Sequence, residues 1–268
     1  MEGLKLQTPV ETGRGKISIS LKDKIFILGS CFADNIGQKM TDLGFEVCVN
    51  PFGTIYNPVS VCNSIARLSS GIPFGESECV PMGAGAGLIC SFSHHTTFAR
   101  RTAREFLDNA NASLSDASRK WHEAGKVIIT LGTAWIYEHV RSGETVSNCL
   151  KIDAGEFSRR RLTVHETAAL LMNMVGRHPD KEFLFTVSPI RHLKDGAHGN
   201  QISKSTLLLA LDEVLAKFPE RCEYFPAYEI VLDELRDYRF YAADMIHPSD
   251  QAVDYLWSRF VGFAVPPA

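Results

Sequence analysis

Two short stretches near opposite ends of the chain hold residues able to act as nucleophile and base. The first reads Ile25-Phe26-Ile27-Leu28-Gly29-Ser30-Cys31-Phe32-Ala33, an apolar run that meets a glycine and passes at once into a helical pattern. Such a turn puts Ser30 and Cys31 at the carboxyl end of a sheet, the crevice where open α/β sheets bind ligands. A helix N-terminus offers free N–H groups and a positive dipole, which favour a thiolate or an oxyanion. A cysteine there can have a lowered pKa. The same letters also describe a turn glycine, an N-capping serine and a packing cysteine. The second stretch is Asp244-Met245-Ile246-His247-Pro248. Its acid and histidine are three apart, close to one helical turn, so both can lean to one side. A carboxylate so placed can hold the imidazole Nδ1–H and leave Nε2 as a base. A capping aspartate and a surface histidine give the same spacing.

Three further clusters carry polar chemistry. In Ser93-His94-His95-Thr96 the adjacent histidines point to different sides of a strand, and no third ligand stands at motif spacing. A substrate-side role for His94 and His95 is therefore expected, and no metal. Arg191, His192 and Lys194 follow an apolar run. A guanidinium there can grip an anionic substrate group in bidentate fashion; a solvated loop is the plain alternative. Residues 234–239 alternate acid and base and read as salt bridges. The glycines of 83–87 lack the lysine and the strand–helix context of a phosphate loop.

The elements that must position these residues alternate strand and helix. Strand candidates are 24–28, 45–49, 126–131, 183–187 and, more weakly, 222–225. Their near-continuous apolar character suits parallel strands covered on both faces. Phe32, Ile36, Met40 and Leu43 recur at helical spacing, as do Val61, Ile65 and Leu68. Helices are also expected over 102–123 and 163–177, and along the stripe Leu207, Leu208, Leu211, Val214 and Leu215. A last helix runs from Pro248, at its first position, to about Phe260. The pattern predicts a three-layer α/β/α sandwich with a mostly parallel central sheet. Residues 70–100 and 134–152 break the alternation and read as hairpins or lids inserted at the sheet edge. With 268 residues and no strong linker, 1–268 reads as a single domain.

A net charge of −3 gives no excess of base for a nucleic-acid partner. The N-terminal stretch has no apolar run after a basic start, so no signal peptide is evident. The apolar runs are too short to span a bilayer. Seven cysteines, an odd count without a C-x-x-C, fit a reduced cytoplasmic setting.

Taken together, a nucleophile after the first strand and an Asp-x-x-His before the last helix resemble the SGNH/GDSL hydrolases. Gly29-Ser30-Cys31-Phe32-Ala33 is similar to the five-letter signature of the GSCFA family. That resemblance extends to Asn50-Pro51-Phe52-Gly53-Thr54, Leu131-Gly132-Thr133-Ala134-Trp135, Ser188-Pro189-Ile190-Arg191-His192 and the 233–241 segment. It implies a flavodoxin-like sandwich and an ester hydrolase or acyltransferase, with Asp244 and His247 as acid and base. Register places Cys31 on the nucleophile position; a shift of one residue would place Ser30 there. Gly53 matches the glycine N–H of the oxyanion site. Ala134 stands where the superfamily has its asparagine donor, and Asn57, the Thr133 hydroxyl or the residue-31 N–H could replace it. The expected partner is a small-molecule or carbohydrate ester, by analogy an O-acetylated sugar. Phe52, Tyr56 and Trp135 are candidates to stack on it. No cofactor is implied. The rival expectation is a non-catalytic carbohydrate- or small-molecule-binding protein on the same scaffold.

Overall fold

The structure is a computed structural model that describes residues 7–85 and 87–267. The chain runs β1 (Lys24–Gly29), α1 (Cys31–Asp42), β2 (Glu46–Val49), α2 (Pro58–Ser70), β3 (Val80–Pro81), β4 (Ile89–Cys90) and α3 (Ala103–Glu123). It continues through β5 (Lys126–Leu131), β6 (Trp135–His139), β7 (Thr145–Val146), β8 (Phe157–Arg161), α4 (Val164–Arg177), β9 (Glu182–Val187), α5 (Gly196–Lys217) and β10 (Cys222–Tyr224). A short α6 (Ala227–Glu229) passes into the π-helical turn Ile230–Leu235, and α7 (Asp250–Ala264) closes the fold.

The five apolar runs form one parallel sheet in the order β10-β9-β5-β1-β2. Alternate side chains leave each strand on opposite faces, and here both faces are covered. Phe26, Leu28, Val127, Ile129, Phe183 and Phe185 join a core with α2, α3, α4 and α5. Ile25, Ile27, Ile128 and Leu184 join a second core with α1, α7 and the 227–235 segment. This is the three-layer sandwich. The order reverses between β1 and β5, so their carboxyl ends form the switch-point crevice of a doubly wound sheet.

The two irregular regions are antiparallel insertions. β3 pairs β4, and β6 pairs both β7 and β8. The glycine run belongs to the first, with Ala86 outside the described residues. β8 was not expected: Phe-Ser-Arg-Arg-Arg shows no apolar alternation, and it is held instead by its ladder to β6. The last helix starts later than expected. Ser249 is its N-cap and accepts from Ala252 N–H at 3.3 Å, while Pro248 pairs back to Tyr241. Within 234–239 only Arg239 and Asp237 pair, at 3.5 Å; buried Glu234 binds Arg259 of α7. No helix among the described residues is long and apolar enough to cross a membrane.

Candidate active site

The site is built at the end of β1. Gly29 has φ +147°, and a Cβ there would lie 2.2 Å from Thr130 O of β5, so only glycine lets the two strands stay paired. Ser30, 3% exposed, is the N-cap of α1; its Oγ accepts from Phe32 N–H at 3.3 Å. Cys31 is the first residue of α1 and is partly exposed. Asp34, one turn further along α1, accepts from Asn50 Nδ2 at 2.6 Å and Thr54 Oγ1 at 3.0 Å. Burial pushes the Cys31 thiol up, and the Asp34 carboxylate adds to this. Its own backbone N–H and the Thr54 hydroxyl pull the other way and lose. The lowered thiol expected of a helix N-terminus is therefore not found.

The loop after β2 zips onto β1. Asn50, at φ +41°, donates its N–H to Ile27 O at 2.9 Å and accepts Gly29 N–H on Oδ1 at 2.8 Å. Gly53 N–H closes a turn onto Asn50 O at 2.8 Å, so it is committed away from any oxyanion. Gly53 has φ +82°, and a Cβ there would lie 2.3 Å from His95 Cβ. Asn57 caps α2: Oδ1 accepts from Ser60 N–H and Nδ2 donates to Ser60 Oγ, both at 2.9 Å. His94 is 0% exposed among Phe52, Phe74, Phe98 and Phe106, with Nδ1 2.6 Å from Ser91 Oγ. Burial, helped by Arg67, drives its pKa down to about 3, so it is a neutral core histidine. His95 caps a short 3₁₀ turn through Thr97 N–H at 3.3 Å. Phe52 is core as well.

Tyr56 packs against Gly132 after β5, whose N–H donates to Tyr56 O at 2.8 Å. Burial raises the phenol pKa, and the nearby Cys31, Tyr137 and Cys149 raise it further. The Tyr56 ring lies over His192, with centroids 5.7 Å apart. The Thr133 hydroxyl lies 2.9 Å from Ser203 Oγ and accepts Trp135 N–H at 3.1 Å, which ties it into the β5–β6 turn. Ala134 is buried and donates its N–H to Ser203 Oγ at 2.8 Å.

The loop after β9 supplies Arg191, His192 and Lys194. Arg191 N–H donates to Ile246 O at 3.1 Å, which fastens the residue before His247 to this end of the sheet. No carboxylate among the described residues pairs with the Arg191 side chain. Burial, then the charge of Lys204, lowers His192 to a pKa of about 4. Lys194 donates to Tyr137 OH at 2.7 Å. Arg159 pairs with Asp195 and covers one face of the Trp135 ring at 4.2 Å, so that face is not open for stacking.

The acid–histidine pair is formed. Asp244 Oδ2 lies 2.7 Å from His247 Nδ1, and Oδ1 accepts the N–H groups of His247 at 3.0 Å and Ile246 at 2.9 Å. These bonds, the His247 N–H first, hold the Asp244 carboxyl down at about 2. Met245, at φ +58°, makes the tight turn between them. His247 Nε2 has no hydrogen-bond partner among the described residues, and neither Ser30 nor Cys31 bonds to it.

Three contributors were missed. Asp34 follows Cys31 at i+3, a spacing visible in the letters. Asn50 heads the Asn-Pro-Phe-Gly stretch, but its left-handed backbone is not. Lys204, 1% exposed, donates to Gly132 O at 2.6 Å and Ser188 O at 2.7 Å. Extending the Leu207, Leu211, Val214 stripe one turn back reaches Lys204 and would have flagged a lysine on the core face. A family model described as the GSCFA family matches residues 24–260. No curated protein matches the chain.

Proposed function

The chain belongs to the GSCFA family, and from that premise we propose an SGNH-type ester hydrolase or acyltransferase that works through an acyl-enzyme on Cys31. The observation that carries this is the Asp244–His247 pair, closed at 2.7 Å with Nε2 left unpartnered among the described residues. Its loop is tied at Ile246 to the carboxyl end of the sheet that also presents Cys31. The flavodoxin-like strand order supports the superfamily assignment. Cys31 is preferred to Ser30 because the serine is buried and its oxygen caps α1, while the thiol is partly exposed.

A thiol with a raised pKa needs a base, and His247 supplies one. Sulfur adds to the ester carbonyl as His247 Nε2 takes the thiol proton. The carbon–oxygen bond to the alcohol breaks, and His247 returns that proton to the leaving oxygen. Water, or a second alcohol, then adds to the thioester with its proton passing to His247, and the departing thiolate is reprotonated. Arg191, without a carboxylate partner among the described residues, suits an anionic group on the substrate. One unit over 1–268, a cytoplasmic setting and a carbohydrate or small-molecule ester belong to the same proposal; residues 1–6 and 268 lie outside the described residues.

The test is turnover of p-nitrophenyl acetate by the full chain, with iodoacetamide mapping of the reactive thiol. Cys31→Ala should abolish turnover, His247→Ala should lower kcat about 10³-fold or more, and Ser30→Ala should keep it. Retention in Cys31→Ala with loss in Ser30→Ala would reject the nucleophile. The absence of a Cys31–His247 hydrogen bond among the described residues favours the non-catalytic alternative. So does a groove of about 1050 Å³ lined by Asn63, Ser64, Phe92, His139 and Ser147, which suits a glycan. Glycan binding by the full chain with no p-nitrophenyl acetate turnover above the uncatalysed rate would select that reading.

A further inference from the structure

The missing asparagine leaves the oxyanion short of a donor, and the loop after β5 contains a replacement. Ala134 has no polar side chain, the Gly53 N–H and Asn57 amide are engaged elsewhere, and the Thr133 hydroxyl belongs to the Ser203 network. The Thr133 backbone N–H, however, has no hydrogen-bond partner among the described residues, although the residue is buried. An unpaired buried N–H is rare and costly. The carbonyl of the same peptide, Gly132 O, receives the Lys204 ammonium at 2.6 Å.

We propose that the Thr133 N–H is the oxyanion donor in place of the asparagine, and that Lys204 is the positioning residue that aims and polarises it. This rests on the acyl-enzyme reading. In a trans peptide the carbonyl and the N–H point opposite ways. Gly132 O points to Lys204 on the β9 side, where Nζ also holds Ser188 O at 2.7 Å. The Thr133 N–H therefore points away from Lys204, and Tyr56, whose carbonyl receives the adjacent Gly132 N–H, lies near Cys31 at this end of the sheet. A cation on the carbonyl draws electron density from the peptide and makes its N–H a stronger donor, as in polarised hydrogen-bond chains. The lysine has no carboxylate partner among the described residues, so its charge is not cancelled locally. Arg191 and His192 from the β9 loop and Tyr228 from α6 are the titratable groups facing it.

The fold contains its own control. Lys181 is also buried and also holds two carbonyls, Trp121 O at 2.8 Å and Ala124 O at 2.7 Å, at the opposite, amino end of the sheet. With p-nitrophenyl acetate, K204M should lower kcat roughly tenfold to a hundredfold and leave KM within about twofold. The rate of Cys31 alkylation by iodoacetamide should not change, because thiol and base are intact. K204R should restore most of kcat, and K181M should leave it unchanged while costing stability. A second measurement needs no methionine variant. Burial, then Arg191, lowers Lys204 to about 7, so wild-type kcat should fall at alkaline pH, and K204R should lack that limb. Wild-type kcat in K204M, an equal loss in K181M, or identical alkaline limbs in wild type and K204R each overturn the inference. If Cys31→Ala keeps turnover, the acyl-enzyme reading itself falls; if it abolishes turnover and K204M does not, only the Lys204 assignment falls.

Discussion

Cys31 stands between opposing influences, and their balance sets its chemistry. The start of α1 and the Thr54 hydroxyl stabilise a thiolate, while burial and the Asp34 carboxylate destabilise it more. Asp34→Asn removes the like charge but keeps acceptor and donor groups near Asn50 and Thr54. The thiol pKa should fall, and iodoacetamide alkylation near neutral pH should speed up about threefold. An unchanged midpoint in the pH profile of alkylation would mean that Asp34 does not act on the sulfur. At this scale the letters disclose residue type and spacing, hence Cys31, Asp244 and His247 as candidates. They do not disclose which neighbours desolvate a group, and so a thiol expected to be lowered is raised. The same holds for His94. Its pair with His95 suggested a ligand site, but three of the four phenylalanines around it, Phe52, Phe74 and Phe106, come from other segments.

Elements position the site through one asparagine more than through any helix. Asn50 bonds Ile27 O, Gly29 N–H, Gly53 N–H and Asp34, and so clamps the β2–α2 loop to the end of β1. It does this at φ +41°, a region that asparagine tolerates better than alanine. Asn50→Ala should cost about 2–3 kcal/mol in urea unfolding, from two lost side-chain bonds and backbone strain. Asn50→Gly should relieve the strain and recover about 1 kcal/mol of this; equal losses in both variants would rule out a strained backbone. Long apolar or periodic segments were legible because one pattern decides them, which is why the five sheet strands and α1 to α4 match expectation closely; α5 begins at Gly196, well before the Leu207–Leu215 stripe, because its polar first turns carry no apolar period. β8 was not, since Phe157–Arg161 is chosen by a partner strand. The start of α7 moved because Pro248 is engaged in a bridge to Tyr241, leaving Ser249 to cap.

Over the whole molecule, buried neutral histidines should make the fold acid-sensitive well above the carboxylate range. Burial holds His94 at about 3 and His192 at about 4, against 6.5 for an ordinary histidine. Between those values the unfolded chain binds more protons than the folded one, so stability rises with pH through this window and is lost as pH falls from 6.5. Asp244 and Glu166, lowered to about 2 from 3.8 and 4.5, contribute stability that is present above those ordinary values and lost as pH falls through the carboxylate range toward 2, below the histidine window. Glu229 is shifted up by burial and has the opposite slope, so it blunts the loss and does not cause it. Each histidine accounts for about 2 kcal/mol between pH 6.5 and pH 5. Together they should lower the Tm by roughly 8 °C or more over that interval. His94→Phe, placed among phenylalanines that already surround the ring, should leave the Tm at pH 7 within a few degrees and remove about half of the acid decline. A decline of full size in that variant would show that His94 is protonated in the folded protein or that other groups drive the acid transition.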